Sequence, residues 1–258
     1  MSVPNIVLYA NCQSKGIKVL LSQIVDANYE EIANYVYIKE KLDLPIEILK
    51  SADIFIYQPL ATKHGIYSTD MSIENSICTY LSPHCKKISF PYMYNSGLWP
   101  FLPSTDNYID EFCAIRDLKS KGYTVEQVLK LFDEDKIKFN YEERFQKCMN
   151  IMKEKEEKCD VKVTQFIEEN ITTMKMFLTQ NHPTTNLFIH CVNQILKLMN
   201  IEKVIHHRLD YNINLAELPG NYPQSIYDLN FWKFEYDVVC WNLWWKTKIK
   251  EVYNSIKD

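Results

Sequence analysis

Two residues in this sequence have the chemistry of a nucleophile and its base: a cysteine at position 12 and a histidine at position 182. Cys12 follows the apolar run Asn5-Ile6-Val7-Leu8-Tyr9-Ala10 and stands inside the polar triplet Asn11-Cys12-Gln13. Ile17, Leu20, Leu21, Ile24 and Val25 then recur at helical spacing, so the thiol falls where a buried strand hands over to a helix N-terminus. Free backbone N–H groups and the helix dipole favour negative charge there, and a cysteine so placed can act as a thiolate. The same position equally suits a small residue packed in a tight turn. His182 lies in Gln180-Asn181-His182-Pro183-Thr184-Thr185, a break between an apolar stretch and a second helical pattern. A thiol and an imidazole at two strand-to-helix turns are the parts of a nucleophile–base pair. Gln13, Gln58, Asn95 and Ser96, at or near other strand ends, could donate hydrogen bonds to an oxyanion.

The elements that must position these groups alternate over residues 1–100. Strands are expected at 5–10, 31–38, 53–57 and 87–90, with helices at 14–26, 44–50 and 72–81 between them. That alternation predicts an α/β fold in which helices flank a parallel sheet, with ligands taken at the carboxyl ends of the strands. From 104 to 172 the pattern is helical. Thr124-Val125-Glu126-Gln127 has capping-box spacing, and the run Lys153-Glu154-Lys155-Glu156-Glu157-Lys158 reads as a solvated helix face. A strand over 174–179 and a helix carrying Phe188, Cys191, Val192, Ile195, Leu196 and Met199 on one face follow, with His190 off that face at the surface. Trp232, Tyr236, Val239, Leu243 and Trp244 form a late aromatic stripe that reads as core-facing. The chain is expected to be one domain, 1–258, with 104–172 as a helical insertion or lobe.

Composition narrows the function. A net charge of -4 and a pI near 5.9 argue against a general nucleic-acid binder. The eight cysteines form no C-x-x-C pair and no zinc spacing; His84-Cys85 and His206-His207 each lack a second pair, so no metal is expected. No run is long and apolar enough for a membrane span, the start does not resemble a signal peptide, and free thiols suit a reducing compartment, so a cytoplasmic location is expected. With five glycines and neither G-x-G-x-x-G nor a P-loop, a nucleotide-like ligand would have to be held by side chains and helix ends.

The outline is similar to that of SGNH-type esterases and acyltransferases, with departures: Cys12 replaces serine, and Thr179 stands where an Asp-x-x-His pattern would have aspartate. More specifically, Asn11-Cys12-Gln13, the strand from Asp53 ending in Gln58, Phe90-Pro91 and Asn181-His182-Pro183 together resemble the WcbI family of capsular polysaccharide biosynthesis proteins. Ala10 stands where that family usually has glycine. The resemblance implies an O-acetyltransferase that takes acetyl-CoA (leaving coenzyme A) and modifies a sugar hydroxyl of a polysaccharide or sugar-nucleotide-derived acceptor. It implies Cys12 and His182 as the reactive pair, with Gln13 and Gln58 lining the pocket. Lys15, Lys18, Lys63 and His64 are the basic candidates for the cofactor phosphates, ahead of Lys86, Lys87, Arg116 and Arg208. Two other readings fit the same residues: a thiol-dependent esterase of SGNH-like build, and a non-catalytic coenzyme A- or glycan-binding subunit of an assembly complex.

Overall fold

The computed structural model describes residues 3–95, 113–134, 136–137, 141–206 and 242–256. It divides into two compact units, one drawn from 1–93, 152–168 and 183–218, the other from 94–151, 169–182 and 219–258.

The first unit is built on a four-stranded parallel sheet of β1 (Asn5–Ala10), β2 (Asn28–Ala33), β3 (Ile54–Tyr57) and β4 (Lys86–Ser89), in the order β2-β1-β3-β4. Every pairing is parallel, with Ala10 opposite Ala33, and Tyr9 opposite Tyr57, which in turn faces Ser89. Successive strand residues point to opposite faces. Val7, Tyr9, Ile32 and Phe55 therefore share one face, where they form a core with Leu49 of helix α3 (Ile46–Ser51) and with Ile77 of a 3₁₀ turn at Ile77–Tyr80. Ile6, Leu8 and Ile56, equally buried, fill the other. Helix α1 (Ser14–Leu21) buries Ile17, Leu20 and Leu21 and packs on β1 and β2. Helix α8 (Thr185–Leu198), with Phe188, Cys191, Val192, Ile195 and Leu196 buried, packs in turn on α1. The two helices meet at their first turns. A Cβ on Gly16 would lie 2.6 Å from the Phe188 ring, so only glycine admits this approach.

The strand expected at 31–38 is replaced by β2 and then helix α2 (Asn34–Glu40), which ends at Lys41 in the left-handed conformation (φ 52°). Pairing with β1 draws Asn28, Tyr29 and Glu30 into an edge strand that propensity alone would reject. The helix expected at 72–81 is confined to the 3₁₀ turn. Ser72 N–H bonds Asp70 Oδ1 at 2.9 Å and Asn75 takes φ 58°, local side-chain and backbone choices that stop a helix from propagating.

The charged run at 153–158 is also only partly solvated. It closes helix α6 (Tyr141–Glu156), and the carboxylate of its last residue, Glu156, is buried. It accepts the N–H groups of Val163 (2.7 Å) and Thr164 (3.1 Å) and the Thr164 hydroxyl, capping helix α7 (Thr164–Asn170) from outside. Lys153 pairs with Glu168 at 2.8 Å. His190 is half-buried, stacked on Phe166 with ring centroids 4.0 Å apart, and its Nε2 lies 3.1 Å from the Lys162 carbonyl.

The second unit is mainly helical and does not coincide with residues 104–172. Met152–Glu168 belongs to the first unit, whereas the C-terminal helix belongs to the second. Helices α4 (Cys113–Ser120), α5 (Val125–Asp133) and α9 (Asn242–Ser255) pack around Ile115, Val128, Phe132, Ile137, Ile249 and Val252. The capping box of α5 forms as its spacing predicts, with Thr124 and Gln127 exchanging side-chain and backbone bonds. A short sheet pairs β5 (Phe177–Thr179) with β6 (His182–Pro183). The stripe residues Trp232, Tyr236 and Val239, together with Ser96, His207 and Arg208, lie outside the described residues.

Candidate functional site

In the order β2-β1-β3-β4 the chain leaves β1 in one direction for β2 and later returns on its other side as β3. The switch point therefore lies between the carboxyl ends of β1 and β3, where open α/β sheets take their ligands. Asn11-Cys12-Gln13 leaves β1 and Gln58 leaves β3 at this point. The Gln58 N–H extends the ladder to Tyr9 O at 2.9 Å.

The triplet is a tight turn. Ser14 N–H bonds the Asn11 carbonyl at 3.1 Å, and the Asn11 side chain accepts the Gln13 N–H at 3.0 Å. Gln58 Oε1 accepts the Asn11 N–H at 3.1 Å, and Gln58 Nε2 donates to Gln13 Oε1 at 2.8 Å. Gln13 then grips the segment beyond β4, taking the Met93 N–H on Oε1 (3.2 Å) and giving Nε2 to the Met93 carbonyl (2.7 Å). Gln13 is 1% exposed and Gln58 4%. The ends of β1, β3 and β4 are thus tied together by two side-chain amides bonded to one another and to backbone.

Cys12 itself is half-buried and free of any disulfide. Burial pushes its thiol above the ordinary value, while its own backbone N–H and the Lys15 ammonium pull the other way. Desolvation outweighs the helix terminus here, so Cys12 rests as a thiol at neutral pH. In the first turn of α1, the N–H groups of Lys15 and Gly16 meet no acceptor among the described residues and remain available to an anion.

The expected basic residues differ in their commitments. Lys15 is exposed, and Lys18 is held by Glu31 of β2 at 2.9 Å. The other Glu31 oxygen accepts the Ser14 hydroxyl at 3.1 Å. Lys63 is exposed and His64 half-buried, both in a 3₁₀ turn at Thr62–Tyr67 beyond Gln58.

Within the second unit, Asn95 is fully buried and its N–H bonds the Gln180 carbonyl at 2.7 Å; the Tyr94 hydroxyl bonds Gln180 Oε1 at 3.2 Å. His182 follows in β6, half-buried. Burial holds its imidazole below the ordinary histidine value, so the ring is neutral at pH 7. Lys175, also half-buried, has its ammonium destabilised by desolvation. The sequence carried one signal for it, a lone lysine between Met174 and Met176 that strand assignment absorbed. Met93 acts through its main chain and Glu31 through a partner on another element, so neither had a local signal.

Among the described residues no three His, Cys, Asp or Glu side chains gather as a metal site, and no helix is long and apolar enough to cross a membrane.

A parallel sheet flanked by helices, with a thiol turn at its switch point, defines the class: an open-sheet α/β protein, of the kind that takes ligands at the carboxyl ends of its strands. A family model described as the polysaccharide biosynthesis enzyme WcbI matches residues 5–204. The chain belongs to the WcbI family of polysaccharide biosynthesis enzymes, as the residues around Cys12, Gln58 and His182 suggest. Its fold is similar to a solved structure of WcbI itself, described as a novel polysaccharide biosynthesis enzyme in its native form without a disulfide bond between coenzyme A and one of its cysteines. The TM-score is 0.72, with 17% identity over 99% of this chain and 91% of that one. At that identity the likeness speaks to fold. No curated protein matches the chain.

Proposed function

We propose that the protein is an O-acetyltransferase that moves an acetyl group from acetyl-CoA to a sugar hydroxyl during synthesis of a capsular or other surface polysaccharide, acting in the cytoplasm. The observation that carries this reading is the Cys12 turn at the switch point of a WcbI-family chain. The coenzyme A named with the solved WcbI structure supports the choice of donor. So do the first-turn N–H groups of Lys15 and Gly16, with Lys15 exposed beside them, because they suit an anionic group or a carbonyl oxygen gaining charge. Lys63 and His64 are the further candidates for donor phosphates.

His182 serves as the base. Its neutral ring can take a proton from the acceptor hydroxyl, which then attacks the thioester carbonyl and expels the coenzyme A thiolate. Cys12 enters in one of two ways. Either it gives its proton to a base, takes the acetyl group as a thioester and releases it to the sugar oxygen, or it borders the carbonyl while the sugar attacks directly.

The test is a titration with coenzyme A and acetyl-CoA, followed by transfer assays and mass spectrometry of the Cys12 peptide. The reading requires acetyl-CoA binding and transfer that Cys12→Ala or His182→Ala abolishes while the fold persists; an acetyl adduct on Cys12 selects the covalent route. Hydrolysis of simple acetyl esters without coenzyme A binding would replace it with the esterase. Binding with an unreactive Cys12 and no transfer would leave a carrier subunit.

A further inference from the structure

We propose that Gln13 and Gln58 are positioning residues: a crossed pair of amides that sets the conformation of the Cys12 turn through its backbone. The inference rests on the acetyltransferase reading only for the turnover that its test follows.

Three observations carry it. First, both side chains are buried and both are bonded through oxygen and nitrogen: Gln58 with Asn11 N–H and Gln13 Oε1, Gln13 with both main-chain groups of Met93. Removing either amide would leave buried polar groups of its partners unpaired, so each bond favours the clamped turn. Second, the bonds hold the turn on both sides of the thiol. Asn11 is fixed by its N–H, and Gln13 by its side chain and by its own N–H to Asn11 Oδ1. Cys12 is the member of the triplet whose side chain stays out of this lattice. Third, donor and acceptor alternate so that only amides satisfy both positions. A carboxylate at 58 could accept from Asn11 but not donate to Gln13, and one at 13 would face the Met93 carbonyl.

The test uses the full chain with Gln58→Met, which keeps volume and removes both bonds. Iodoacetamide alkylation of each cysteine is followed by peptide mass spectrometry across pH, beside acetyl transfer kinetics. Loosening the turn releases the half-buried thiol to water. Cys12 alkylation should therefore accelerate about tenfold at neutral pH, its midpoint falling toward the ordinary thiol value. The buried Cys78, Cys85 and Cys191 should stay protected. Lys15, Lys18, Glu30 and Glu31, the charged groups of α1 and β2, are unchanged in this variant, so the shift would report the turn. Turnover should fall about 100-fold with KM for acetyl-CoA within about threefold, the pattern of a misplaced reacting group.

An unchanged Cys12 profile in a folded variant, or all four cysteines opening together, would overturn the proposal. If Gln58→Met does not fold, Gln58→Glu, which keeps the Asn11 acceptor and loses the donor, is read by the same alkylation rate. That rate needs no acetyl transfer, so a wild type without transferase activity would sink the proposed function and leave this test standing.

Discussion

Gly16→Ala tests the seam between α1 and α8 directly. The added Cβ would lie 2.6 Å from Phe188 Cε2 and Cζ and 2.8 Å from Cδ2, about 1 Å inside ordinary carbon–carbon contact. Phe188 is 2% exposed, so the ring can yield only by disturbing neighbours or parting the helices. Overpacking of this kind costs about 1–3 kcal/mol. Gly16 lies inside the helix, where alanine is favoured over glycine by about 1 kcal/mol. The net expectation is a loss of about 0–2 kcal/mol, or roughly 2–4 °C in melting temperature for each kcal/mol in a chain of this size. Urea unfolding of Gly16→Ala, Phe188→Leu and the double variant closes the cycle. Because leucine frees the space that the new methyl needs, the double variant should be more stable than the sum of the singles by at least about 0.5 kcal/mol. A Gly16→Ala protein stabilised by the full helix-propensity gain, or a coupling energy of zero, would refute the close approach.

Glu156→Ala should cost about 2–4 kcal/mol in urea unfolding, because the Val163 and Thr164 N–H groups lose a buried charged acceptor; Glu156→Gln, which still accepts, should cost less than half of that. Lys15→Met should move the pH midpoint of Cys12 alkylation upward, since the ammonium is one of the influences that lower it; a downward move would count against the assignment. His182 has its folded value depressed, so the unfolded chain binds its proton first as pH falls. Stability should be level above about pH 7 and decline as pH drops below the ordinary histidine value of about 6.5, a decline that His182→Asn removes. If His182 is the base, the acid limb of kcat/KM should also lie below that value.

The parallel sheet and its thiol turn were legible because they are written in local pattern: an apolar strand, a polar triplet and a helical stripe within a short stretch. Gln13 and Gln58 were legible as strand-end amides, and they do meet. Their bonding was not, since an amide at a strand end reads the same whether it faces a substrate or another amide. The thiol's acidity stays open in the sequence for a related reason. Helix position is visible in sequence, but the burial that overrides it depends on what else packs around Cys12. Asn28-Tyr29-Glu30 became a strand through pairing with β1, which no propensity reports. Glu156 left the solvated run because residues seven and eight positions later needed an acceptor.

The bonds that shape the Cys12 turn span 45 and 80 positions, and the ring that seats Gly16 comes from Phe188, far later in the chain. During synthesis β1 and Cys12 emerge first and every group that configures the turn emerges afterwards. A ribosome-bound chain that ends before Gln58 therefore carries Cys12 on an unclamped loop. Only after α8 has been made can the first turn of α1 settle against its partner. The environment of a cysteine near the beginning of the chain is thus acquired late in folding, and a truncated product inherits the cysteine without the surroundings that restrain it.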